Sequence, residues 1–127
     1  MTVLLLVLLF QVLSCVPWRT TEDPRDVHRR PEGVRLEVRN QHFNEVVVYA
    51  MPDGVRERLA AVPGNDTRTM DLPARLLLPP GGLRLMVSPI GSREVYLSGE
   101  IFSWSEGDTV VMVVAGHLRM SFWYLRR

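Results

Sequence analysis

From Val34 onward the chain carries an apolar period of two, and no other feature limits its fold as much. "VRLEVRN" (34–40) sets Val34, Leu36 and Val38 against Arg35, Glu37 and Arg39, the pattern of a strand with one wet face. "EVVVYAM" (45–51) and "VRERLAAV" (55–62) flank Pro52, Asp53 and Gly54, and Asp-Gly between two such runs predicts a hairpin. The charges of Arg56, Glu57 and Arg58 point both ways, which suits an edge strand. "TRTMDL", "LRLMVSP", "EVYLSGEIFSW", "TVVMVVA" and "LRMSFWYLR" follow, separated by Pro63–Asp66, the proline-bearing Pro73–Gly82, Ile90–Arg93, Ser105–Asp108 and Gly116–His117. Gly99 marks a bulge or bend. No stretch has a helical period, and "PARLLL" has room for one turn. Seven to eight short strands, with turns roughly every 8–12 residues, predict an all-β antiparallel sandwich over 34–127.

Such a sandwich must be held by its core. One cysteine makes no internal disulfide, and no Cys/His spacing suggests zinc. At 46% apolar and 23% charged residues, the composition is that of a globular chain rather than a disordered one. A net charge of +1 gives no reason to expect a nucleic-acid partner. No nucleophile motif, phosphate-binding glycine loop or metal-binding doublet occurs, so neither a cofactor nor an enzymatic activity is expected.

The amino terminus has a different character. "VLLLVLLFQVL" (3–13) is too short for a membrane-spanning helix, which needs roughly 20 apolar residues, but matches the core of a secretory signal peptide. Val12-Leu13-Ser14-Cys15 resembles a bacterial lipobox, in which a small residue precedes the cysteine that becomes acylated and amino-terminal. The resemblance implies a signal peptide over 1–14 and a lipidated Cys15. Two or three acyl chains anchor stably where one is marginal. The alternatives are a plain signal peptide with Cys15 incidental, and an uncleaved anchor. Residues 16–33, polar and proline-bearing without periodicity, have the composition of a flexible tether, with an r.m.s. reach of roughly 25 Å.

"IFSWSEGDTVVMVV" (101–114) resembles the closing hairpin of bacterial Ig-like and transthyretin-like modules, although the Cys–Trp–Cys hallmark of antibody-type domains is absent. All 15 basic residues are arginine, as GC-rich bacterial genomes favour. As a whole the chain resembles small envelope lipoproteins of such bacteria, which implies a location outside the cytoplasm at the cell envelope, with free secretion as the alternative.

Strand parity picks out two groups of residues. If strands run alternately up and down, the loops at 40–44, 63–66, 89–92 and 116–117 share one end. That end would gather Asn40, His42, Asn44, Asp66 and His117, a polar cluster suited to a sugar or metal ion; the same residue types are also what turns require. Second, "VVVYAM" and "VVMVV" are apolar on both sides, leaving Val47, Tyr49, Val111 and Val113 outside a two-layer sandwich. Were the two strands neighbours, these would join into a partner-binding patch, with Trp123 a further interface anchor or a strand residue covering the sandwich edge.

Three functions compete. The foremost is a non-catalytic envelope lipoprotein, held to the membrane by its lipid and serving as a structural or protein-interaction module. The second is a small-ligand or carbohydrate-binding module using the loops around His42 and His117. An enzyme would require converging titratable groups in a cleft.

Overall fold

The structure, a computed structural model, describes residues 33–77, 82–101 and 103–127. Cys15 and the segments assigned to signal peptide and tether up to residue 32 lie outside them.

The chain forms the expected all-β sandwich. Its strands are β1 (Arg35–Asn40), β2 (Val46–Met51), β3 (Glu57–Val62), β4 (Thr67–Asp71), β5 (Arg84–Pro89), β6 (Tyr96–Leu97), β7 (Thr109–Val114) and β8 (Phe122–Arg126). One sheet has the order β4-β1-β7-β8 and the other β3-β2-β5-β6. Among the described residues, no helix is long and apolar enough to cross a membrane. The pairings are antiparallel except β1 with β7, which is parallel from Arg35↔Thr109 to Asn40↔Val114. This is not the ABED/CFG distribution of an immunoglobulin constant-type domain.

Alternation decides which side chains meet between the sheets. Leu36, Val38, Val110, Met112 and Val114 from one sheet face Val46, Val48, Ala50, Val62, Leu85 and Val87 from the other, all fully buried. Each valine, leucine and methionine among them contributes about 1.5–3 kcal/mol relative to exposure, and Ala50 less. The β2–β3 hairpin turns at Asp53 (φ 52°) and Gly54 (φ 80°), with the Val55 N–H donating to the Pro52 carbonyl at 3.1 Å. Two positive φ values make this the type I′ turn that Asp-Gly favours.

The outer face of the β4-β1-β7-β8 sheet explains a β7 that is apolar on both sides. Glu37 on β1 accepts from Arg126 on β8 at 2.6 Å, reaching across β7, and from Arg39 at 2.6 Å. Glu37 is level with Val111, and Arg126 with Thr109, so the ion pair lies over the middle strand. The stems of such side chains exclude water as well as any apolar residue does, and Val111 is fully buried and Val113 nearly so. The hydrogen bonds from Arg126 and then Arg39 hold the Glu37 carboxyl below its ordinary value. A lowered pKa stabilises the fold above the ordinary carboxylate range, and that contribution is lost as pH falls through the lowered value. Glu37→Gln should therefore destabilise the fold at pH 7 by under about 1 kcal/mol, and so lower the melting temperature slightly, because the two arginines stand nearly half in solvent although the carboxylate is largely buried. It should also remove part of the decline in Tm between pH 5 and 3, followed by thermal melts across that range.

Candidate functional site

Register places the loops as alternation along the chain anticipates. β1 runs parallel to β7 and antiparallel to β4, and β2 antiparallel to both β3 and β5. The connections 41–45, 63–66, 90–95 and 115–121 therefore share one end of the sandwich. Hydrogen bonds between them bear this out: Asn40 N–H to the Asp66 carbonyl (2.8 Å), Gln41 N–H to Val114 (2.8 Å), Asn65 N–H to His42 (3.1 Å) and Ile90 N–H to Glu45 (2.9 Å). The opposite end receives the chain at Gly33 and carries the connection 52–56 and residues 72–77 after β4.

The polar residues gathered here mostly bind one another. Asn40, only 2% exposed, donates through Nδ2 to the carbonyls of Asn44 (2.9 Å), Val62 (3.1 Å) and Pro63 (2.9 Å). Its Oδ1 accepts the His42 N–H at 3.0 Å. One amide thus ties the β1–β2 loop to the end of β3 in the other sheet. His42 is buried, and its Nδ1 accepts the Asn44 N–H at 3.0 Å. The Asn44 amide donates to the Ile90 carbonyl at 3.4 Å, and Asp66 Oδ1 accepts the Thr67 N–H at 2.8 Å. His117 is exposed, ahead of a 3₁₀ turn at Leu118–Met120. Among the described residues, no three His, Cys, Asp or Glu are placed to hold a metal ion, and no buried side-chain polar atom lacks a partner.

Among the described residues, the depression at this end is small. Arg39, Asn40, Gln41, Asn65, Asp66 and Thr67 line an open depression of about 240 Å³, below the usual range for ligand pockets of roughly 300–1,000 Å³. Another of about 270 Å³ lies at the opposite end, between Met51, Gly54, Arg84, Leu97 and Glu100, where Arg84 and Glu100 are ion-paired at 2.6 Å. Burial raises the Tyr96 phenol pKa, but Tyr96 packs at the margin of the core and lines neither depression.

The apolar residues singled out by alternation do not form one patch. Val47 and Tyr49 lie half-buried on β2, whereas Val111 and Val113 lie on β7 of the other sheet under the Glu37–Arg126 pair. Strands in different sheets cannot join their outer faces. Trp123 turns inward and packs against the core with Leu125.

Other apolar residues are exposed: Phe43, Ile90, Val95 and Met120 all stand in solvent on the loops of the shared end and Phe122 begins β8, while Val55, Leu97 and Tyr124 are exposed away from those loops. Phe43 is 75% exposed and Met120 71%. The Asn44–Ile90 contact joins the first two loops. Val95 shares a depression with Leu118 and Arg119 on the third. The Phe43 ring stacks on His42 with centroids 4.5 Å apart. Beneath it the backbone is fixed by contact with Gly64, where an added Cβ would sit 2.0 Å from the Phe43 carbonyl oxygen. Periodicity does not reveal this crown, because its members are loop residues outside any alternating run.

No family model, curated protein or solved structure matches the chain.

Proposed function

We propose that the chain is a non-catalytic interaction module of the bacterial envelope, anchored through lipidated Cys15 and engaging a protein partner with the loop end of its sandwich. The observation that carries this is the fixing of Phe43: a buried amide at Asn40 and a close backbone approach at Gly64 hold a loop whose outermost side chain is a phenylalanine in water. Isolated exposed apolar residues need no explanation. Several on loops of one end, on backbone already ordered, are what a docking surface needs, since preorganisation lowers the entropic cost of binding. The tether joins the opposite end at Gly33. A domain held there by a flexible tether keeps its attachment clear of the crown, which is free to meet whatever the envelope offers.

The test has two arms in the producing cell. A clickable fatty acid should label the chain, and Cys15→Ala should abolish both label and membrane partition. A photo-crosslinking residue placed at Phe43 or Met120 should give a discrete protein adduct, while one at Val55, equally apolar but on the opposite end, gives none. Phe43→Glu with Met120→Glu should remove that partner with the melting temperature unchanged, since substitutions at such exposed positions usually fall within about 0.5 kcal/mol. Adducts from Val55 alone, or a partner retained by the double variant, sink the reading.

A further inference from the structure

Four strands form the edges of the two sheets, and three are closed to further pairing. β3 breaks register between its pairings with Val48 and Tyr49 and carries Glu57 and Arg58. β4 is Thr-Arg-Thr-Met-Asp, exposed at every residue but Met70. β6 is two residues long. Bulges, charges and brevity are the devices by which sheets resist edge-to-edge growth. β8 has neither bulge nor brevity, and its one charge stands at its end: Phe122–Arg126 keeps one-to-one register with β7, and three aromatic residues and a leucine precede Arg126. Among the described residues no strand pairs with its far side. Alternate N–H and C=O groups of an antiparallel strand point away from its partner, so β8 presents a row of open donors and acceptors.

Charge indicates what fits there. Residues 115–127 include Arg119, Arg126 and Arg127 and no Asp or Glu, and Glu94, which lines one depression with Arg119, makes no ion pair with it. Glu37 holds Arg126, and among the described residues neither Arg119 nor Arg127 is in an ion pair. A second copy pairing antiparallel about Tyr124 would set Arg127 of each chain opposite Ser121 of the other, two residues from Arg119, with no carboxylate side chain of residues 115–127 between the two arginines. The geometry points instead to an extended segment of a partner protein, apolar at its centre and acidic at its ends, added as a further strand beside β8. Strand addition of this kind takes affinity from the main chain and specificity from alternate side chains. The incoming apolar residues lie beside Trp123 and Leu125 on the core side. On the outer side they meet Phe122 and Tyr124, whose rings are stacked with centroids 6.3 Å apart. The acids reach Arg119 and Arg127. This rests on the chain being an interaction module, but not on the crown.

The test titrates the full chain with three synthetic peptides: alternating valine and threonine flanked by two glutamates at each end, the same flanked by lysines, and the glutamate form with a central proline. The glutamate peptide should bind at least tenfold tighter than the lysine peptide and slow hydrogen exchange at alternate β8 amides; the proline form should not bind. Arg119→Glu with Arg127→Glu should reverse the preference while leaving the melting curve in place. The proposal is overturned if proline makes no difference or if charge makes none. It is equally overturned if the β8 amides that face away from β7 are already protected in the free chain, by a second copy in a dimer or by residues 1–32 in a monomer. Loss of the β8 signal with the Phe43 adduct intact removes the edge alone. Loss of the adduct with peptide binding intact removes the crown alone.

Discussion

Asn40→Asp is expected to destabilise the fold by about 4 kcal/mol at pH 7 and to lower the melting temperature by about 20 °C. The native amide donates to the carbonyls of Asn44, Val62 and Pro63, one N–H being shared, which ties the β1–β2 loop to the end of β3, and it accepts one N–H. A carboxylate keeps the acceptor and loses every donor, so the carbonyls of Asn44, Val62 and Pro63 face a buried negative charge. Each lost net hydrogen bond accounts for about 0.5–1.5 kcal/mol, and a buried unpaired charge adds to that. In a domain of this size about 1 kcal/mol corresponds to roughly 4–8 °C. Asn40→Leu removes the bonds without adding charge and should cost less, about 2–3 kcal/mol. The pH response separates the two. In the aspartate variant the folded carboxyl is raised above its unfolded value, because only the protonated form can donate. Its stability therefore recovers as pH falls from 7 toward 5 and declines as pH rises through the raised value. The wild type, whose relevant carboxylate is the lowered Glu37, should be flat over that interval. Melts at pH 5 and 7 on the three proteins check this; equal Tm values, or an aspartate variant indifferent to pH, would show that the amide does not carry the loop end.

The role of Asn40 was within reach of the sequence. It has the parity of Val34, Leu36 and Val38, so it faces inward, and an inward-facing amide at a strand end is a structural lock more often than a ligand contact. What alternation could not supply was the partner of each strand. β1 and β7 are far apart in the chain, and nothing in their periodicity specifies that they pair, or that they do so in parallel. Val111 and Val113 were legible as outward-facing residues but not as covered ones, because the cover is a salt bridge between two other strands. "EVYLSGEIFSW" reads as one strand, yet only Tyr96 and Leu97 form a ladder, with a single further bridge from Ile101 to Leu83. The reason is local: Ser98 Oγ takes the Leu85 N–H at 2.9 Å in place of a backbone carbonyl, an alternative that short hydroxyl side chains offer the main chain. "LRMSFWYLR" fails similarly. Its first residues form a 3₁₀ turn, so Leu118 is buried and Met120 exposed although alternation puts them on one side. That break in parity brings Met120 to the crown.

Gly64→Ala should cost about 3 kcal/mol, and the reason is steric rather than conformational. Gly64 does not lie in the left-handed region, so alanine can adopt its backbone angles. The added Cβ, however, would stand 2.0 Å from the Phe43 carbonyl oxygen, 2.6 Å from the carbonyl carbon and 3.2 Å from the His42 oxygen. All three are backbone atoms of a loop pinned by Asn40 and by the Asn65 N–H on His42. No side chain can rotate away, so either the β1–β2 loop or the β3–β4 turn must shift, and overpacking of this kind typically costs 1–3 kcal/mol and occasionally more. Gly54→Ala is the matched control: its φ of +80° is strained for alanine but nothing lies within 4 Å, so it should cost only about 1–2 kcal/mol. Because the displaced atoms carry Phe43, Gly64→Ala should also weaken the Phe43 photo-adduct in the fraction of molecules that remain folded, whereas Gly54→Ala leaves it intact. Paired melts and crosslinking on the two variants measure both effects. If Gly64→Ala melts like the wild type and crosslinks as well, the loop is free to move, and binding by the crown cannot depend on a surface arranged in advance.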